Sequence, residues 1–200
     1  MTNEQISVFS DKNIGIYYLE HVDNSTYEIE SKLLQTDGKY RNLSKLYFNE
    51  TIGFYNVKTH VGNPRFCMSG HEYALQCDDM VNELINAFDN DICKNILVIG
   101  TEEFMYPGLM FAKSLSEKCG SNVKFHATTR SPIEVADDGS YPLHKRYELK
   151  SVYDANRTTY IYDLDRYDEV FIVTESGYDE YGLSTLVNSI RNKRTRIITV

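Results

Sequence analysis

The sequence predicts an α/β fold: a Rossmann-like, mostly parallel sheet with helices on both faces, preceded by a β-rich N-terminal extension. Three observations carry that prediction. The run Asn95 to Gly100 is short and continuously apolar, the pattern of a strand covered on both faces. From there to the C-terminus, strand-like runs alternate with helix-like ones, which implies βαβ units. Between two of the strands, Pro107-Gly108 and Gly120 stand where helices tend to open and close.

In chain order, Ile14 to Leu19 reads as a strand, and Tyr27 to Leu34 as a strand or short helix. Leu46-Tyr47-Phe48 and Gly53 to Val57 flank Asn49-Glu50-Thr51 and suggest a hairpin. Asn63-Pro64 signals a turn. Ser69 is placed as an N-cap with Glu72 three residues on. Behind it Cys77, Met80, Val81, Leu84, Ile85 and Phe88 fall on one helical face, predicting a helix over 71–89. The helix after Pro107 carries Leu109, Met110, Phe111 and Leu115. Val123 to Ala127 is the next strand. Residues 133–157 read as a long polar loop, longer than a simple connector. Thr158 to Tyr162 and Glu169 to Val173 are further strands, Leu183, Leu186, Val187 and Ile190 mark a last helix, and Arg196 to Val200 a final strand at a sheet edge. The expected organisation is an extension over 1–68 packed on an α/β domain over 69–200. Its strands either lengthen the main sheet or form a small flap.

The chain has 200 residues, 42% of them hydrophobic and 25% charged, ordinary values for a soluble globular protein long enough to bury a core. Its net charge of −8 argues against general nucleic-acid binding, which needs phosphate-neutralising cations. No apolar run reaches the roughly 18 residues of a membrane helix, and the polar N-terminus is unlike a secretory signal. The four cysteines, Cys67, Cys77, Cys93 and Cys119, form no C-x-x-C pair. They read as reduced thiols of a cytoplasmic protein, without a zinc site. The five histidines show no metal spacing, and no Walker loop, G-x-G-x-x-G or G-x-S-x-G is present.

Ligands of open α/β sheets bind at strand carboxyl ends, and three polar runs stand at such ends. The first is Thr128, Thr129, Arg130, Ser131 and Pro132. Its hydroxyls and forked cation suit a phosphate, unless Arg130 simply pairs with Glu102 or Glu103. The second is Thr101, Glu102 and Glu103, with Tyr106 shaping the turn into a helix. These carboxylates could act as acid and base, contact ribose hydroxyls or hold Mg²⁺, or could merely favour the helix N-terminus. The third is Thr174 and Glu175. In the long loop, Tyr141 and His144 belong to a basic cluster that could close over an anion or stay solvated. Arg157 is a second candidate anion contact. No cofactor is specified, and Mg²⁺ is the one the carboxylates could accommodate.

The runs Gly100 to Pro107 and Ala127 to Pro132 resemble the hallmarks of the TRSP domain family, whose Thr-Arg-Ser-Pro stands here at 129–132. The spacing between the runs fits, as do Tyr141-Pro142 and Tyr167-Asp168, so the resemblance spans roughly 94–178. It implies a domain fused behind, or working with, a phosphoribosyltransferase in bacterial tellurite-resistance and stress clusters that make a nucleoside-like metabolite. Leu33-Leu34-Gln35, with Gly38-Lys39-Tyr40, is faintly similar to a related phosphoribosyltransferase-associated family. The diphosphate signature of such transferases is two acidic residues and a Thr-Gly-x-Thr-like loop. Its nearest equivalent, Ile161 to Asp165, lacks the hydroxyl and glycine loop, so a classical transferase is not expected from this chain alone.

Two functions follow. In the first, the chain binds and transforms a phosphoribosyl- or nucleotide-like ligand, with Glu102, Glu103 and Glu175 catalytic. The residues at 101, 106, 128–132, 141, 144, 157 and 174 would then hold the ligand. In the second, the same residues bind without turnover, in a module docking on a separate phosphoribosyltransferase. The partners implied are a phosphorylated small molecule or nucleotide and that transferase.

Overall fold

The computed structural model describes residues 3–15, 36–42, 52–88, 95–119, 122–190 and 192–200. The chain divides into two units, Met1–Leu34 and Gln35–Val200. In the first, α1 (Asn3–Asp11) is a helix that the sequence reading did not predict. Most of the strand proposed at Ile14 to Leu19, and all of the elements proposed at 27–34 and 46–48, lie outside the described residues.

The second unit is built on a five-stranded, wholly parallel sheet. It contains β2 (Ile52–Asn56), β3 (Asn95–Gly100), β4 (Asn122–Ala127), β7 (Tyr167–Thr174) and β8 (Asn192–Thr199), in the order β2-β8-β7-β3-β4. Helices α2 (Gly70–Phe88) and α3 (Met105–Cys119) cover one face, and α4 (Glu180–Ser189) the other. The pleat explains the two-sided burial. Along β3, Ile96 and Val98 enter a cluster with Met80, Leu84 and Phe111, while Leu97 and Ile99 enter one with Leu183 and Leu186. Each such aliphatic side chain contributes about 1.5–3 kcal/mol when fully buried.

Local sequence sets the helix starts. The Glu72 N–H donates to Ser69 Oγ at 3.1 Å, and the Gly182 N–H donates to Asp179 Oδ1 at 2.8 Å, each satisfying an orphan first-turn donor. Pro107 is the third residue of α3, within the first turn, where its missing N–H costs no helical bond. Gly100 permits α3 to press on the end of β3, since a Cβ there would lie 2.6 Å from Met105 Cα.

A second, three-stranded sheet has the order β1-β5-β6, from β1 (Lys39–Asn42), β5 (Lys145–Lys150) and β6 (Thr158–Tyr162). It corrects the sequence reading in two ways. Residues 133–157 are not one loop, because β5 lies within them; the charged Lys-Arg-Tyr-Glu-Leu-Lys hides a period of two that buries Tyr147 and Leu149. Thr158 to Tyr162 pairs antiparallel with β5 rather than joining the parallel sheet. A third correction concerns β8, which is internal, between β2 and β7, and not an edge. Sequence adjacency gave no hint of the parallel β2–β8 pairing.

Interior charge is paired. Glu169 at the start of β7 is wholly buried between Arg194 (2.9 Å) and Arg196 (2.6 Å) of β8, and Arg196 also lies over the Phe88 ring at 4.6 Å. On α2, Glu83 accepts from the Thr59 hydroxyl (2.6 Å), the Thr59 and Lys58 amides (2.8 and 2.9 Å) and the Tyr55 hydroxyl (3.0 Å). It thereby ties the chain leaving β2 to the helix.

Candidate functional site

The chain leaves β3 through α3 toward β4, and leaves β7 through α4, on the opposite face, toward β8. Since β3 and β7 are neighbours, their carboxyl ends form the topological switch point at which a parallel sheet opens a crevice. Thr101 and Thr174, the residues at these ends, are both wholly buried.

Tyr153, from the turn after β5, stands over this crevice. Its hydroxyl lies 2.6 Å from Thr101 Oγ1, 3.2 Å from Thr174 Oγ1 and 3.3 Å from the Glu175 amide nitrogen. One direction of donation satisfies the set: Glu175 N–H and Thr174 O–H donate to the phenol oxygen, the phenol donates to Thr101, and Thr101 donates to the Val173 carbonyl at 3.3 Å. Burial pushes the Tyr153 phenol up, and its hydrogen bonds with Thr101, Thr174 and the Glu175 amide oppose that shift. A cavity of about 360 Å³ opens beside it, lined by Gly62, Asn63, Phe104, Tyr153, Glu175 and Ser176.

Glu102 lies directly after Thr101 and is nearly all buried, at 3% exposure. Its φ of +50° is left-handed, a conformation that costs a non-glycine residue about 1–3 kcal/mol and must be held by its surroundings. Three groups hold it. The Thr128 hydroxyl accepts from its N–H at 2.9 Å, the Ser151 hydroxyl donates to Oε1, and Arg157 stands 3.0 Å from Oε2. Ser151 is fixed in turn by α4, whose Gly182 lies so close that a Cβ would fall 1.9 Å from the Ser151 carbonyl oxygen.

Outside this buried centre the charges are paired at the surface. Arg130 is ion-paired with Glu103, and Arg65 with Glu175 at 3.2 Å. Arg65 and Glu103 both line a smaller groove of about 230 Å³, with Pro64, Tyr73 and Phe104. The Tyr106 ring lies 5.7 Å from that of Tyr73, centroid to centroid. Burial pushes the Tyr73 phenol up, so it stays protonated across the physiological range.

The sequence-proposed residues thus divide. Thr101, Glu102, Thr128, Arg157, Thr174 and Glu175 gather at or beside the switch point, and Glu103, Arg130 and Tyr106 lie alongside. Thr129 and Ser131 serve the loop itself: Thr129 Oγ1 accepts from the Ser131 N–H, and the Ser131 carbonyl accepts from the Tyr162 hydroxyl. Pro132 is exposed on the same loop. Tyr141 donates to the Glu134 carbonyl, and His144 donates its amide to Asp163, so both are held by the strands and loops of the small sheet. Tyr153, Ser151 and Arg65 were not foreseen. Arg65 could have been suspected beside the Asn63-Pro64 turn; for Tyr153 the sequence carries no signal. Among the described residues, no group of three or more His, Cys, Asp or Glu side chains gathers to hold a metal ion, and no helix is long and apolar enough to cross a membrane.

The model of the family described as "TRSP domain C terminus to PRTase_2" matches residues 63–190. The chain belongs to the TRSP domain family. That match takes in α2, the three polar strand ends, the small sheet's β5 and β6, and α4. Among solved structures, the chain is similar to the adenine phosphoribosyltransferase of Thermoanaerobacter pseudethanolicus. The identity is 20%, the match covers 63% of this chain and 68% of that one, and the TM-score is 0.40. No curated protein matches the sequence.

Proposed function

We propose that this TRSP chain binds a phosphoribosyl- or nucleotide-like ligand at the carboxyl end of its parallel sheet. It would do so alongside a phosphoribosyltransferase, in a bacterial pathway to a nucleoside-like metabolite. The observation that carries the reading is the switch-point crevice, with a cavity on one side and two surface arginines beside it. The ion pairs of Arg130 with Glu103 and of Arg65 with Glu175 lie at the surface, where such pairs are worth about 0–1 kcal/mol. Exchanging a carboxylate for a phosphate there costs little, and the guanidinium fork suits the phosphate better. The Tyr73–Tyr106 pair offers an aromatic surface on which a base could stack.

Between turnover and binding alone, one observation favours binding. Glu102, the buried one of the three candidate catalytic carboxylates, is committed to Arg157 and Ser151 and holds its own loop, rather than standing open to a reacting group. The module reading, in which the domain presents ligand to or from a separate phosphoribosyltransferase, therefore stands ahead of independent catalysis.

Calorimetric titration tests the proposal, using phosphoribosyl pyrophosphate, ribose 5-phosphate, nucleotides and nucleosides with and without Mg²⁺. Arg130→Ala is expected to abolish binding of the phosphorylated ligand at this crevice while the melting temperature stays near that of the parent. Unchanged affinity in Arg130→Ala would sink the assignment. Product formation in the same mixtures would reverse the preference for binding over turnover.

A further inference from the structure

The arginines of the described residues fall into two groups. Arg65, Arg130, Arg146, Arg157, Arg194 and Arg196 each stand on a carboxylate. Arg41 and Arg166 have no carboxylate partner among the described residues, and both line one cleft of about 270 Å³. Lys145 lines it too, together with Tyr147, Asp165 and Ser189. The acid at the rim is already neutralised, because Asp165 is ion-paired with Lys124 at 3.0 Å.

The cleft therefore gathers three cations around one space, in a chain with 29 acidic residues against 21 lysines and arginines. Like charges so placed repel one another, and an acidic protein has ample carboxylates with which to relieve them. Their convergence around a single acid that Lys124 already pairs is the arrangement an anionic ligand completes. Two forked guanidiniums with one ammonium match a group bearing several charges on tetrahedral oxygens better than a single carboxylate.

We infer that this cleft is a second anion site, taking a phosphate ester or diphosphate. It is separate from the crevice described above. Arg166 immediately precedes the amino end of β7, whereas the crevice stands at that strand's carboxyl end. Eight strand residues at about 3.3 Å each put roughly 25 Å between them. The cations of the cleft come from the small sheet and from the connection that enters the parallel one: Arg41 from β1, Lys145 from β5 and Arg166 from the β6–β7 connection. An anion bound there would bridge the small sheet to the start of the parallel one.

The test titrates the full chain with inorganic pyrophosphate by calorimetry, on an Arg130→Ala background that disables the carboxyl-end arginine. Binding should persist in this background. Adding Arg41→Ala or Arg166→Ala should weaken it roughly tenfold each, the loss of one charge-assisted contact. Arg166→Lys, which keeps the charge and loses the fork, should fall between. Far-ultraviolet dichroism and melting temperature establish that each variant is folded. The inference is overturned if the Arg130→Ala chain gives no heat with millimolar pyrophosphate. It is equally overturned if folded Arg41→Ala and Arg166→Ala chains bind as their parent does. The first outcome combined with binding in the unsubstituted chain would place the anion at the crevice and leave the proposed function standing.

Discussion

Arg157, from a partly exposed position, stands 3.0 Å from the buried carboxylate of Glu102, and the pair sits at the topological switch point of the sheet. Glu102 is 3% exposed and its backbone is left-handed, so the ion pair and the Ser151 and Thr128 hydroxyls together hold a conformation the backbone alone resists. Two neighbouring glutamates therefore have opposite character. Glu102 is an internal strut, and Glu103 a surface partner of Arg130.

That contrast is measurable by chemical denaturation. Arg157→Ala leaves the buried Glu102 carboxylate without its counter-charge and should cost about 1–3 kcal/mol. Glu103→Ala opens an exposed pair and should cost less than about 1 kcal/mol. Equal effects would show that Glu102 is not the structural member of the two.

Tyr153→Phe keeps the ring over the crevice and removes the hydroxyl that joins Thr101, Thr174 and the Glu175 amide. The expected loss is about 1–2 kcal/mol, which for a domain of this size lowers the melting temperature by about 2–8 °C. A calorimetric scan decides it. An unshifted transition would mean that the hydroxyl network contributes nothing net.

Gly182→Ala should be damaging, because Gly182 is buried and the new Cβ meets the Ser151 carbonyl oxygen. Overpacking of this kind costs about 1–3 kcal/mol or more. Because Ser151 also holds Glu102, the Gly182→Ala, Glu102→Ala double variant should be less destabilised than the sum of the singles. Strict additivity in urea melts would disconnect α4 from the crevice.

Acid should loosen the junction between β2 and α2. Burial pushes the Glu83 carboxyl up, but the Thr59 hydroxyl, the Lys58 and Thr59 amides and the Tyr55 hydroxyl outweigh it and bring it down from 4.5 to about 2. A carboxylate whose folded value lies below its unfolded one adds stability that is complete above the unfolded value. That stability is lost as pH falls from 4.5 toward 2. Glu83→Ala should remove about 1–3 kcal/mol at neutral pH and flatten the stability profile across that acid window. Parallel profiles for the two proteins would refute the assignment.

Much of this architecture is legible in the sequence because it is local. Ile96 to Ile99 announce a strand buried on both faces, and the spacing of Cys77 to Phe88 announces a one-faced helix. Ser69 caps that helix through a bond spanning three residues. The three polar strand ends are legible for the same reason, since each simply follows its strand. In β5, alternating charge conceals a buried Tyr147 and Leu149, and nothing in a one-dimensional reading says that β8 is internal.

What the sequence alone determined, then, is the strands and covering helices of the parallel sheet, the family motif and the residue types offered at each strand end. Those depend on residues within a turn or a strand of one another. Only the tertiary structure decided how that chemistry is used. It paired Glu102 with Arg157 and Glu103 with Arg130, brought Tyr153 over the crevice, and left Arg41 and Arg166 facing one cleft. Parallel pairing joins segments far apart in the chain. The partner of a charge is then fixed by strand order and helix crossover, quantities that no local pattern encodes.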